Sequence, residues 1–86
     1  MKSYVIIYRT NGSIKKSLVE NKIKTFSYWA RITGDYWFVK TDYSSREIYE
    51  MINPIVGLSG RIIVVGINRN AGWNDLKNSD FLYEHL

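Results

Sequence analysis

The stretch Phe26-Ser27-Tyr28-Trp29-Ala30-Arg31-Ile32-Thr33-Gly34-Asp35-Tyr36-Trp37-Phe38-Val39-Lys40-Thr41 decides how this chain folds. It holds two runs rich in aromatic and β-branched residues, 26–32 and 35–41, joined by Thr33-Gly34. A two-residue link ending in Gly is a hairpin signal, because Gly accepts the positive φ that such turns need. Toward the N-terminus, Tyr4 to Arg9 reads as a strand and Thr10 to Ser13 as a turn. Ser13 to about Lys24 then carries Ile14, Leu18 and Val19 at helical spacing, with lysines on the other side, and predicts an amphipathic helix. Toward the C-terminus, Ser44 is followed three residues later by Glu47, a capping box in which each side chain satisfies an orphan backbone N–H. Ile48, Met51, Ile52 and Ile55 continue that helix's apolar stripe, and Pro54 removes a donor and is expected to end the regular helix near Asn53. Gly57 and Gly60 bracket a turn before Arg61-Ile62-Ile63-Val64-Val65-Gly66-Ile67, a near-continuous apolar run that predicts a strand buried on both faces.

The order is therefore β-α-β-β-α-β. Two split βαβ units in that order give a four-stranded antiparallel sheet with both helices on one face, a ferredoxin-like α+β fold. Residues 3–68 form the core of this single domain and 69–86 a C-terminal extension. The extension carries Trp73, Leu76 and Phe81-Leu82-Tyr83, too apolar for a solvated terminus. It is expected to pack as a short strand or helical turn on its own subunit or on a partner's.

Composition narrows the function. A chain of 86 residues holds one domain. A fold of this size buries only about 60–65% of its unfolded surface, so association or a ligand is a natural source of extra stability. With no cysteine, disulfides and thiolate metal sites are excluded. The apolar run at the start, Tyr4 to Tyr8, is too short for a signal-peptide core or a membrane span, so the expected location is cytoplasmic, with no membrane partner. Twelve Lys and Arg against eight Asp and Glu give a net charge of +4. The excess is uneven: residues 1–40 hold eight basic and two acidic side chains, whereas 41–86 hold four basic and six acidic. A basic half points to a polyanion-facing surface, although ordinary surface charge would leave the same imbalance.

The hairpin assigns faces. With Thr33 and Gly34 as the loop, alternation puts Phe26, Tyr28, Ala30, Ile32, Trp37 and Val39 on the helix-covered face. Ser27, Trp29, Arg31, Tyr36, Phe38 and Lys40 fall on the open one. Aromatic rings interleaved with cations on an open sheet suit single-stranded nucleic acid, with bases stacked on the rings and phosphates met by the cations. The candidate site is therefore Trp29, Arg31, Tyr36, Phe38 and Lys40, with Arg9 and the helical Lys15, Lys16, Lys22 and Lys24 meeting phosphates. The same mixture also suits a dimer interface. Tyr36 to Lys40 resembles the RNA-recognition-motif signature in placing aromatics where that motif has two stacking rings. It departs at Asp35, Trp37 and Thr41, where the motif has a glycine, a small residue and an aromatic.

Three stretches together resemble the Cas2-like family, including its short SinR-like members. They are Tyr4 to Tyr8, Tyr36 to Ile48 with its hairpin strand and helix start, and Arg61 to Ile67 followed by Trp73. The resemblance covers residues 3–75 and implies a ferredoxin-like fold, a homodimer, and association with nucleic acid or nucleases. In that family an aspartate follows the first strand's tyrosine, and two such carboxylates in the dimer hold a metal for phosphodiester cleavage. Here the position is Arg9, whose cation repels a metal and attracts a phosphate, so the activity does not carry over. His85 is the only histidine, too few for a two-histidine acid–base pair or a zinc site. Gly57-Leu58-Ser59-Gly60 lacks the lysine and the length of a phosphate loop. Asp35, Asp42 and Asp75 read as turn or loop residues. No cofactor or metal is expected. The leading expectation is a dimeric, non-catalytic protein that binds RNA or other single-stranded nucleic acid. Two alternatives are an inhibitor or antitoxin-like factor that blocks a nuclease or toxin directly or through bound RNA, and a metal-dependent nuclease using other carboxylates.

Overall fold

The computed structural model describes residues 1–67, so the expectations for Trp73, Asp75, His85 and the rest of the extension lie outside the described residues. The described elements are β1 (Lys2–Arg9), α1 (Ser13–Ile23), β2 (Tyr28–Thr33), β3 (Tyr36–Thr41), α2 (Ser45–Val56) and β4 (Arg61–Ile67). Their order is the one the sequence predicts. The strands form one antiparallel sheet in the order β2-β3-β1-β4, the ferredoxin-like arrangement.

Both helices pack on one face. There, Tyr4, Ile6 and Tyr8 of β1 and Trp37 and Val39 of β3 meet Val19 and Ile23 of α1 and Ile48, Ile52 and Val56 of α2. Each such fully buried aliphatic chain contributes roughly 1.5–3 kcal/mol. On that scale α1, with two, is held more weakly by apolar contact than α2, with three. Ile14 and Leu18 do not join the core: they are 78% and 51% exposed. Apolar residues stand on two sides of α1, and packing selects the Val19/Ile23 pair.

The capping box forms as expected. The Glu47 backbone N–H donates to Ser44 Oγ at 3.1 Å, and the Ser44 N–H donates to Glu47 Oε1 at 3.0 Å. Ser44→Ala should lower stability by about 1 kcal/mol in chemical denaturation. Pro54, however, does not end α2 near Asn53. The helix runs on to Val56, and the Gly57 N–H closes it by donating to the Asn53 carbonyl at 3.0 Å.

The hairpin differs from its prediction in a way that changes the faces. Thr33 pairs with Tyr36, so the loop is Gly34-Asp35, with Gly34 at φ 50°. That shift alone moves the register by two residues and keeps every side chain on its predicted face. The ladder then shifts again between Thr33 and Arg31, leaving Ile32 as a bulge, and Arg31 pairs with Trp37, Trp29 with Val39 and Ala30 with Phe38. One extra residue reverses the faces of β2 relative to β3. Trp29 and Arg31 therefore share the helix-side face with Trp37, while Tyr28 and Ala30 join Phe38 and Lys40 on the opposite one. Phe26 precedes β2 and is buried, its ring edge-on to Tyr43 at 6.0 Å.

β4 is also not buried on both faces. It stands at the end of the sheet order, and Ile63 and Val65 are 53% and 41% exposed on the face away from the helices. Its continuous apolar run reflects one face packed on the core and one left open. No described helix is long and apolar enough to cross a membrane.

Candidate nucleic-acid interface

The end of β1, the start of β4 and the β2–β3 turn converge at one end of the sheet. Register pairs Arg9 with Arg61, and alternation places both on the face that carries neither described helix, the helix-free face, with Val5, Ile7, Ile63 and Val65. Both arginines are exposed, and among the described residues neither has an ion-pair partner. Like charges directly opposite across a strand pair repel, so the fold alone gives no reason for this pairing. One strand away, Tyr36 faces the same side opposite Ile7 and is 46% exposed. Further along β3, Lys40 lies between Ser3 and Tyr28, and Tyr28 is 40% exposed.

A concave pocket of about 340 Å³ opens at this end, lined by Ile7, Arg9, Asp35, Tyr36, Arg61 and Ile63 among others. The Tyr8 N–H donates to the Asp35 carbonyl at 3.3 Å, which holds the hairpin turn beside the end of β1. Lys16 Nζ reaches Asp35 Oδ1 at 3.4 Å, so the one described acid of the pocket is paired with a cation from the first turn of α1.

The other expected residues fall elsewhere. Arg31 donates to Glu20 Oε1 at 2.7 Å and lies 4.9 Å from the Trp37 ring centroid, tying β2 to α1 on the helix side. Lys24 sits over the Trp29 ring at 5.4 Å, and Trp29 is tilted against Trp37 at 6.2 Å. Phe38 does lie on the face opposite the described helices, but it is fully buried and has no surface on which a base could stack. Lys15 lies against Gly57 at the C-terminal end of α2, where a helix attracts cations. Lys22 is half-buried in the last turn of α1. The structure thus brings together Arg9, Tyr36 and Lys40, with Lys16 at the margin. It does not bring Trp29, Arg31, Lys15, Lys22 or Lys24 to that face.

Sequence reasoning missed Arg61 and Tyr28. Arg61 was within reach of it, since the expected fold pairs the first and last strands antiparallel and sets their ends opposite. Tyr28 depends on the Ile32 bulge, for which the residues give no signal.

Beneath the site lies a buried phenol. Tyr8 donates to Glu20 Oε1 at 3.4 Å, and the Trp37 Nε1–H is buried beside it without reaching hydrogen-bond geometry. Burial, followed by the negative charges of Glu20 and Asp35, pushes the Tyr8 pKa from its usual 10.0 up to about 12. The folded chain therefore keeps this proton where the unfolded chain releases it. The stability it contributes is complete below about pH 10 and is lost as pH rises toward about 12. Tyr8→Phe should flatten that alkaline loss in pH-resolved denaturation relative to the parent.

The fold and this arrangement define a small ferredoxin-like α+β domain whose open sheet ends in a basic pocket beside an exposed ring. Comparison with known protein families, with curated proteins and with solved structures finds no match.

Proposed function

We propose that this protein binds RNA or other single-stranded nucleic acid without cleaving it. The observation that carries the reading is the run of groups along the helix-free face: the exposed Tyr36 ring, Lys40 further along the same strand, and the Arg9/Arg61 pair beside Tyr36. A base stacked on an aromatic ring gains roughly 1–3 kcal/mol, and the cations meet the backbone on either side. The resemblance to Cas2-like proteins supports a nucleic-acid partner. Arg9, in place of that family's metal-binding aspartate, supports binding over cleavage.

The protein acts as a homodimer in this reading. The Val5/Val65 pair lies away from the pocket, and β4 is the last of the described strands in the sheet; a second copy docked there would supply burial that so short a chain lacks while leaving Ile7 and Ile63 to the pocket. The test is fluorescence anisotropy with labelled RNA and DNA single strands at two salt concentrations, run beside a light-scattering mass measurement. Binding at low salt that weakens at higher salt, by a species of twice the chain mass, is expected. No binding at low salt would overturn the nucleic-acid reading, and a monomer mass would overturn the dimer.

A further inference from the structure

We propose that the pocket between Arg9, Arg61 and Tyr36 is a subsite for a phosphate monoester, the phosphorylated end of a nucleic-acid strand. The proposal rests on the nucleic-acid reading above and adds which part of the strand is recognised. Its first support is charge. Arg9 and Arg61 are cross-strand neighbours and, among the described residues, without a carboxylate partner, so a ligand with more than one negative charge relieves a repulsion built into the fold. A phosphate monoester carries about −1.5 to −2 at neutral pH, whereas a diester within a strand carries about −1. Guanidinium groups present paired donors suited to phosphate oxygens, and two of them can hold several oxygens at once.

The second support is position. The pocket is concave and lies at the end of the sheet, closed on one side by the Gly34-Asp35 turn. A strand stacked on Tyr36 and running toward Lys40 covers roughly 13 Å of β3 and has the arginine pair at its start. A phosphate seated there is a terminal one. Asp35 does not oppose it as a free charge, because Lys16 pairs with it.

The experiment compares oligonucleotides of one sequence bearing a 5′-phosphate, a 3′-phosphate or only hydroxyl ends, by anisotropy, with a 5′-mononucleotide and its nucleoside as separate probes. The chain should prefer one phosphorylated end by about tenfold, and the mononucleotide over the nucleoside. In Arg61→Ala that ratio should fall to near one, and Arg61→Lys should recover part of it, with circular dichroism confirming that both variants fold. Equal affinity for phosphorylated and hydroxyl ends would overturn the proposal. So would a preference that survives both Arg61→Ala and Arg9→Ala. Mononucleotide binding that needs Arg61, with no oligonucleotide binding, would keep the phosphate subsite and remove the nucleic-acid reading. Binding of no probe would overturn both.

Discussion

Gly60→Ala is expected to cost about 3 kcal/mol, lowering the thermal midpoint by roughly 12–24 °C. A Cβ at residue 60 would run into the Val56 side chain and stand 2.6 Å from the Val56 carbonyl oxygen and 2.9 Å from the Arg9 carbonyl oxygen. Two of these obstacles are backbone, one at the end of α2 and one at the end of β1, so relief requires moving a helix or a strand. The close approach also seats the start of β4 on the end of β1 and so sets Arg61 opposite Arg9, the pair proposed to bind the ligand. The loss should therefore extend to ligand affinity at temperatures where the variant remains folded. Gly66→Ala is the matched control. Among the described residues its Cβ would meet nothing nearer than the Tyr4 ring at 3.9 Å, and its effect should stay within about 0.5 kcal/mol. Thermal denaturation of the two variants side by side checks the prediction.

Replacing both Arg9 and Arg61 with alanine should weaken single-strand binding by about 100-fold at low salt while leaving the fold intact. Charge-assisted hydrogen bonds contribute roughly 1.5–3 kcal/mol each, and even the lower figure, taken twice, reaches that loss. Neither side chain belongs to the buried core, and removing a like-charge pair relieves a repulsion. The variant should thus be as stable as the parent, or slightly more so. This combination separates a binding role from a structural one. Removing core or capping residues lowers stability and binding together, whereas removing these arginines lowers binding alone. Anisotropy and chemical denaturation on the same preparation measure both quantities.

What the sequence disclosed about the fold was whatever is set by local chemistry. Ser44 and Glu47 are three residues apart, and their reciprocal hydrogen bonds form as the spacing requires. Gly34 marks the hairpin and takes a positive φ. The site was harder to read because it depends on parity. The Ile32 bulge reverses β2 against β3, and that single residue moves Trp29 and Arg31 away from Tyr36 and Lys40. Alternation within a strand is visible in a sequence, but the offset between two strands is fixed by packing. Once reversed, β2 lets Arg31 reach Glu20 and stack on Trp37, contacts that help hold α1 where its apolar residues are few. β4 misled for a different reason. Seven residues of nearly unbroken apolar character are read as a doubly covered strand, and here they belong to the last strand in the order, with Ile63 and Val65 exposed. Arg9 was legible as a cation where a carboxylate was expected, but its partner Arg61 became visible only when the two strand ends were set against each other.

The claim that rests on all of this is that the helix-free face, with its arginine pair and exposed ring, binds the backbone and bases of a single strand. The measurement that tests it most directly is the slope of log affinity against log salt for a single-stranded oligonucleotide, for the parent and for the Arg9→Ala/Arg61→Ala variant. Each phosphate contact contributes about 0.7 to the slope for a single strand, so the parent should show a clear linear fall and the variant a slope shallower by at least about 0.7. A parent that does not bind, or identical slopes in the two proteins, would contradict the account.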